Sequence, residues 1–167
     1  RRVLFRSKDL KALFNNAKDL KTVITKYIDE HEAMRKEIDK FQAQAVERTK
    51  NLLIERAETI NGTTVIKAVL PIDPNVAKDL VFKIRESIPT HLLCVIGSTA
   101  NEKPLLSVML SNDLVKDHDL NAGQMVREAA RLIQGGGGGQ PHYASAGGKH
   151  LDGLTAAVDR VVELAKL

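Results

Sequence analysis

The sequence predicts an α+β protein in two parts. Residues 1–61 form a long-helix arm, an antiparallel helical hairpin or a coiled-coil-like helix, and residues 62–167 form a small globular domain with a mixed β-sheet covered by helices. Three observations predict this. From Ser7 to Ile60 there is no Pro or Gly, and the good helix formers Lys, Glu, Ala, Leu and Gln fill most of the stretch. After Asn61-Gly62 short β-branched runs alternate with segments of helical period. Runs such as Leu92–Gly97 (LLCVIG) are apolar throughout, as strands are when helices cover their sheet.

In the arm, a short opening helix is expected over Lys8–Phe14, stopping near Asn15-Asn16. Apolar residues then recur at Leu20, Ile24, Tyr27, Met34, Ile38, Phe41, Ala45 and Leu52. With His31 and Arg48 in the vacancies, the steps alternate between three and four residues from Ile24 to Leu52, the seam of a helix packed on a partner helix. A lone helix cannot bury such a stripe against itself. Its expected partner is the opening helix, a neighbouring domain, or a second copy in a homodimer. The repeated KDLK at Lys8–Lys11 and Lys18–Lys21 is too short to mark a solenoid.

In the globular part, Thr63–Leu70 (TTVIKAVL) reads as a strand. Asp73-Pro74 gives an N-cap and the favoured first residue of a helix carrying Val76, Leu80, Ile84 and Ile88, which Pro89 stops. HLLCVIGSTA and KPLLSVMLSN read as two strands joined across a short turn. Asn121 caps a helix with Met125, Val126, Ala129, Leu132 and Ile133 on its apolar face, and a glycine-rich loop over 135–148 follows. A last helix from about Asp152 lines up Leu154, Val158, Val161 and Ala165.

The bulk numbers narrow the function. At 167 residues the chain is long enough for one domain plus an appendage, and a hydrophobic share of 43% with a charged share of 28% belongs to a soluble, folded protein rather than a disordered one. Aromatics at 4% and no Trp count against a base-stacking platform. The net charge of +4 permits a nucleic-acid partner, and it is uneven: residues 1–60 hold 14 Lys/Arg against 10 Asp/Glu, leaving 11 of each elsewhere. Cys94 is alone in an apolar run and reads as an inert buried thiol, which fits a reducing, cytoplasmic location. No run of 18 apolar residues and no secretion signal is present, so no membrane partner is expected. Without an opening Met, the sequence reads as a piece of something longer, and residues 1–7 as either native linker or an added tail.

Motifs for chemistry fail one by one. A Walker loop needs Ser or Thr where His150 follows Gly148-Lys149, and glycine where Tyr143 stands. A dinucleotide GxGxxG from Gly135 meets Gln140 in its last position, and it follows a helix instead of a strand. Asp117-His118-Asp119 reads as a polar loop without further metal ligands, and Ser145 lacks the GxSxG frame of a nucleophile. The five glycines Gly135–Gly139 remain. Ordering glycine costs roughly 0.5–1 kcal/mol per residue against alanine in regular structure, so five together are read as backbone that something approaches closely, with a free linker as the alternative. Bare amides suit phosphate or ribose oxygens, and a flat base pair meets no side chain there.

The stretch NAGQMVREAARLIQGGGGGQPHYASAGG, an Ala-Gly pair at Ala122-Gly123, the glycine run, then Ala144-Ser145-Ala146-Gly147-Gly148, resembles the C-terminal domain of alanyl-tRNA synthetase. The resemblance extends, more weakly, over the arm. That family often carries a sixth glycine followed by Arg or Lys, where Gln140 closes the run here, and commonly Asp and Met where His142 and Tyr143 stand. The resemblance implies a noncatalytic appendage of an alanine-tRNA ligase that contacts the elbow of alanine-specific tRNA and links the aminoacylation and editing modules. It implies other domains of the parent synthetase as partners, with ATP and zinc needed only there and no cofactor in this piece. It further implies kinship with the accessory domain of DHH phosphoesterases, whose glycine-rich stretch contacts substrate. The contact surface expected from it is Gly135, Gly136, Gly137, Gly138, Gly139, Gln140, His142, Tyr143 and Lys149, with arm Lys/Arg attracting phosphate. A bulky residue at Gly137 is then expected to weaken tRNA binding without unfolding the domain. The alternatives are a substrate-binding module of a DHH-type phosphoesterase and a pure dimerisation element.

Overall fold

A computed structural model describes residues 12–15 and 17–167. Helix α1 spans Leu20–Glu55. Asp19 opens it by accepting the Thr22 N–H at 3.2 Å, which satisfies one of the amides a helix start leaves unpaired. The helix stops short of Ile60 because Glu58–Ile60 forms strand β1. Most of the opening helix expected over Lys8–Phe14 lies outside the described residues.

The chain divides into two compact units that meet between Gln44 and Ala45, inside α1. In the first, Tyr27, Ile28, Met34, Ile38 and Phe41 are each more than half exposed, and the Phe14 ring lies 5.6 Å from that of Tyr27. In the second, the closing turns of α1 put Val46, Leu53 and Ile54 into an apolar cluster with Ile66, Leu80, Ile84 and Cys94. These are not the seam positions: Ala45, Arg48 and Leu52 on the other face stay exposed.

The second unit is an α+β domain built on one six-stranded sheet of order β1-β2-β3-β4-β6-β5. Strand β2 (Thr63–Leu70) is antiparallel to β1 and parallel to β3 (Leu92–Ser98). The parallel pair is joined through α2 (Pro74–Ser87), which starts as expected, with Asp73 accepting the Asn75 N–H at 2.9 Å. All other neighbours are antiparallel, β4 being Leu105–Leu110. Alternate residues of β3 point to opposite faces. Leu93 and Val95 join a cluster with Met125, Val126, Val158 and Val161, while Leu92, Cys94 and Ile96 join the one containing Leu80 and Ile84. Both faces are covered, which is why the run is apolar at every step. On the first face lie α4 (Ala122–Ala129) and α5 (Leu154–Leu164). Leu154, Val158, Val161 and Ala165 are buried, and Lys67 of β2 pairs with Asp159 of α5 at 2.7 Å.

Three stretches depart from the sequence reading. A short helix α3 (Asn112–Asp117) precedes the turn at His118 and Asp119. After Ala129 the chain tightens into a 3₁₀ turn over Ala130–Ile133, which rotates Leu132 out to 41% exposure while Ile133 stays buried. The expected glycine-rich loop over 135–148 is largely a pair of strands, β5 (Gly136–Gly139) and β6 (Tyr143–Gly147). Glycine has no side chain to display a strand period, so the ladder left no trace in the pattern.

Candidate nucleic-acid interface

Strand β6 lies between β4 and β5, so the glycines form the outer edge of the sheet. The register pairs Gly136 with Gly147, Gly137 with Ala146, Gly138 with Ser145 and Gly139 with Ala144. At the tip the Gln140 N–H donates to the Tyr143 carbonyl at 2.8 Å, closing the turn over Pro141-His142. In an antiparallel ladder, residues that exchange hydrogen bonds with their partner alternate with residues whose N–H and C=O face away. Counting from Gln140, Gly138 and Gly136 bond inward, and Gly137 turns its amide and carbonyl to the open edge.

The glycines answer two different demands. A Cβ on Gly135, Gly137 or Gly139 would lie 2.0 Å from the Gly147 carbonyl oxygen, 2.1 Å from that of Ser145 and 2.5 Å from that of Tyr143. At these positions the place of a side chain is filled by β6 main chain, so the fold itself excludes one. At Gly136 a Cβ meets nothing within 4 Å, and at Gly138 it meets only the Arg127 guanidinium, at 3.5 Å. The expectation for Gly137 is therefore corrected. A bulky residue there strikes the neighbouring strand, and Gly136 is the position where bulk tests the surface alone. The start of α4 is fitted to the same strand: the Ala122 N–H donates to the Pro141 carbonyl at 2.9 Å, and a Cβ on Gly123 would lie 3.0 Å from the Gly139 carbonyl oxygen.

The expected contact residues fall at two ends of this hairpin. At one end Gly135, Gly147 and Gly148 floor a groove of about 380 Å³, with Lys103 and Lys149 among its lining residues. Both lysines are exposed. The amides of Lys149 and His150 are engaged, donating to the Ile133 carbonyl at 2.9 and 3.0 Å, so only the side chains face outward. At the other end are Gln140, His142 and Tyr143, about 13–15 Å away at roughly 3.3 Å per residue of strand. The Tyr143 ring packs on Phe82, with centroids 5.1 Å apart, and joins the core cluster on that face. Lys103 and Arg127 carry no signal in the sequence, because strand order and helix packing, not spacing along the chain, bring them to the glycines.

Around the hairpin the exposed cations are Lys103, Arg127, Arg131 and Lys149, with the exposed acids Glu102 and Asp152 close to two of them in the chain. Glu128, the acid next to Arg127 in the chain, is paired with Arg160. Among the described residues no group of three His, Cys, Asp or Glu side chains converges. Cys94 is buried, and burial pushes its thiol up, away from thiolate chemistry. The arrangement offers main chain and cations to an anionic surface.

The mixed sheet ends in a bare glycine edge with cations beside it, and the chain belongs to the DHHA1 domain family, which it matches over residues 61–167. Among its relatives, an alanine–tRNA ligase of Bacteroides fragilis is 50% identical over 157 residues, 94% of this chain. That of Porphyromonas gingivalis is 34% identical over 171 residues, 99% of this chain. The chain spans 18% and 19% of the length of these two relatives. Among solved structures, the C-Ala domain from Aquifex aeolicus alanyl-tRNA synthetase superposes with a TM-score of 0.59 at 24% identity, covering 66% of this chain and 98% of that one. The DHH domain of a member of the s1p family of ribosomal proteins gives 0.53 at 13% identity, over 81% of this chain and 33% of that one. Both are likenesses of fold.

Proposed function

We propose that this chain is the C-terminal tRNA-binding appendage of an alanine–tRNA ligase. In this reading the parent enzyme joins alanine to tRNA with ATP, and the appendage holds the tRNA elbow while linking the aminoacylation and editing modules. The glycine hairpin is the docking face, flanked by Gln140 and His142 at its tip and Lys149 at its base, and the arm adds sequence-independent attraction for phosphate. The exposed stripe Tyr27, Met34, Ile38 and Phe41 supports a second role for the arm, joining two copies.

The observation that carries the reading is Gly136. Packing does not demand glycine there, since a Cβ would meet nothing within 4 Å. The open edge is then kept bare for something outside the fold. Footprinting of an alanine-accepting tRNA transcript with the full chain is expected to show protection at the elbow. Gly136→Leu is expected to keep the wild-type melting curve and to bind tRNA at least about tenfold more weakly, the effect of blocking one well-placed hydrogen-bonded pair. Gly137→Ala, by contrast, is expected to lower stability by about 1–3 kcal/mol through overpacking against β6. Undiminished tRNA affinity in the Gly136 variant would count against this face, and retention of short oligonucleotides in preference to tRNA would favour a phosphoesterase-type module.

A further inference from the structure

We propose that Arg127 is the phosphate-gripping residue of the glycine edge, its guanidinium fork aimed into the space that a side chain at position 138 would occupy. The inference rests on the RNA-binding reading and names the residue that makes its charged contact.

The geometry of Arg127 is specific. The point where a Gly138 Cβ would stand lies 3.5 Å from Nε, 3.5 Å from Nη2 and 4.0 Å from Cζ. With C–N bonds of about 1.33 Å, an atom in the guanidinium plane, in front of the Nε–Nη2 edge and 3.5 Å from both nitrogens, must sit about 4.0 Å from Cζ. An atom stacked over the flat face would be about as close to Cζ as to the nitrogens. The empty position therefore lies in the plane and directly before the bidentate edge, where Arg takes two oxygens of a carboxylate or phosphate. An oxygen slightly nearer than this point would reach ordinary hydrogen-bond range of both N–H groups.

The surroundings point to an anion from outside. Arg127 is exposed on α4, and among the described residues no ion pair or side-chain hydrogen bond engages it. Its chain neighbour Glu128 is held by Arg160, which is held in turn by Glu163. At Gly137, one residue along β5, the ladder turns an N–H to the same open edge, a second donor beside the fork. Gly138 is explained at the same time: its Cβ would touch Arg127 only at ordinary contact distance, so the fold tolerates it, but it would fill the space before the fork.

The test uses the full chain and a folded alanine-accepting tRNA transcript, titrated between about 50 and 200 mM salt. R127Q is expected to bind about tenfold more weakly at low salt, with the slope of log K against log salt shallower by nearly one. R127K keeps the charge without the fork and is expected to restore the slope but only part of the affinity. G138A is expected to weaken binding as R127Q does, and the double variant no further, since both remove the same interaction. K78Q, an equal loss of charge on α2 at the opposite face of the sheet, is expected to leave affinity within about twofold. Matching melting curves establish that each variant is folded. If wild type binds tRNA and R127Q matches it in affinity and slope, this assignment is overturned while the RNA-binding reading stands. If G138A binds like wild type while R127Q does not, Arg127 meets RNA by another geometry and the fork is overturned. If wild type fails to bind tRNA, both fall together.

Discussion

Single residues in this domain separate what the fold needs from what a partner needs. Gly137 and Gly136 are neighbours in one strand, yet a Cβ on the first would lie 2.1 Å from a carbonyl oxygen and on the second in open space. Sequence alone presents five identical letters there. Asp113 shows the fold's demand in electrostatic form. It lies in the first turn of α3, accepts the His91 N–H at 2.8 Å and lies 3.4 Å from His91 Nδ1. Burial works against its charged form, but the Ser111 hydroxyl and the His91 N–H outweigh it and hold the carboxyl below its ordinary 3.8. A depressed value means the folded state favours the carboxylate. That stabilisation is present above about pH 4 and is lost as pH falls through the folded-state value. Denaturant midpoints measured from pH 6 down to about 2 are expected to fall more steeply in the wild type than in Asp113→Asn, with the variant less stable at neutral pH. Parallel acid-side curves would show that Asp113 contributes nothing to the pH dependence.

Elements follow the same division between local signal and tertiary pairing. Strands β2, β3 and β4, helix α2 and the buried face of α5 were legible because their apolar residues have a clear period and their caps are ordinary ones, such as Asp73-Pro74. Strand β1 was not, since Glu-Thr-Ile directly follows a helix-former run and is a strand only through its pairing with Thr63–Val65. Likewise β5 exists only because β6 lies beside it, so the candidate site was legible as a place but not as a shape. The approach of Arg127 to Gly138 depends on helix α4 packing over that strand. Helix α1 carries a long three-and-four seam, but the residues it buries are not in that seam. Val46, Leu53 and Ile54 serve the sheet, whereas Met34, Ile38 and Phe41 remain more than half exposed. An exposed stripe of this spacing is expected to pair two chains. Light scattering is expected to report a dimer for the full chain and a monomer for an Ile38→Glu/Phe41→Glu variant with unchanged helicity. A wild-type monomer at about 100 μM, far above the micromolar affinity of an ordinary specific interface, would rule out this use of the stripe.

At the scale of the whole molecule, charge and shape are assigned to different parts of the chain. Residues 1–60 carry 14 Lys/Arg against 10 Asp/Glu, and the remainder is balanced at 11 of each. The net positive charge thus belongs to the arm, while the globular domain has a glycine edge and a few placed cations. Attraction of the first kind draws on counterion release and weakens linearly in log salt, whatever the sequence or fold of the RNA. Main-chain hydrogen bonds and steric fit to a folded surface release few counterions and weaken little. The two terms should therefore separate on a salt titration. Raising salt from about 50 to 200 mM is expected to weaken binding of folded tRNA and of an unstructured RNA of tRNA length together, so that a preference for the fold persists while both affinities fall. Competition between the two RNAs across that range measures the ratio directly. In Gly136→Leu the ratio is expected to stay near one at every salt concentration, because only the charge-driven term is left. A wild type that binds both RNAs equally at every salt concentration would mean that the glycine edge does not read shape, and that charge alone accounts for the binding.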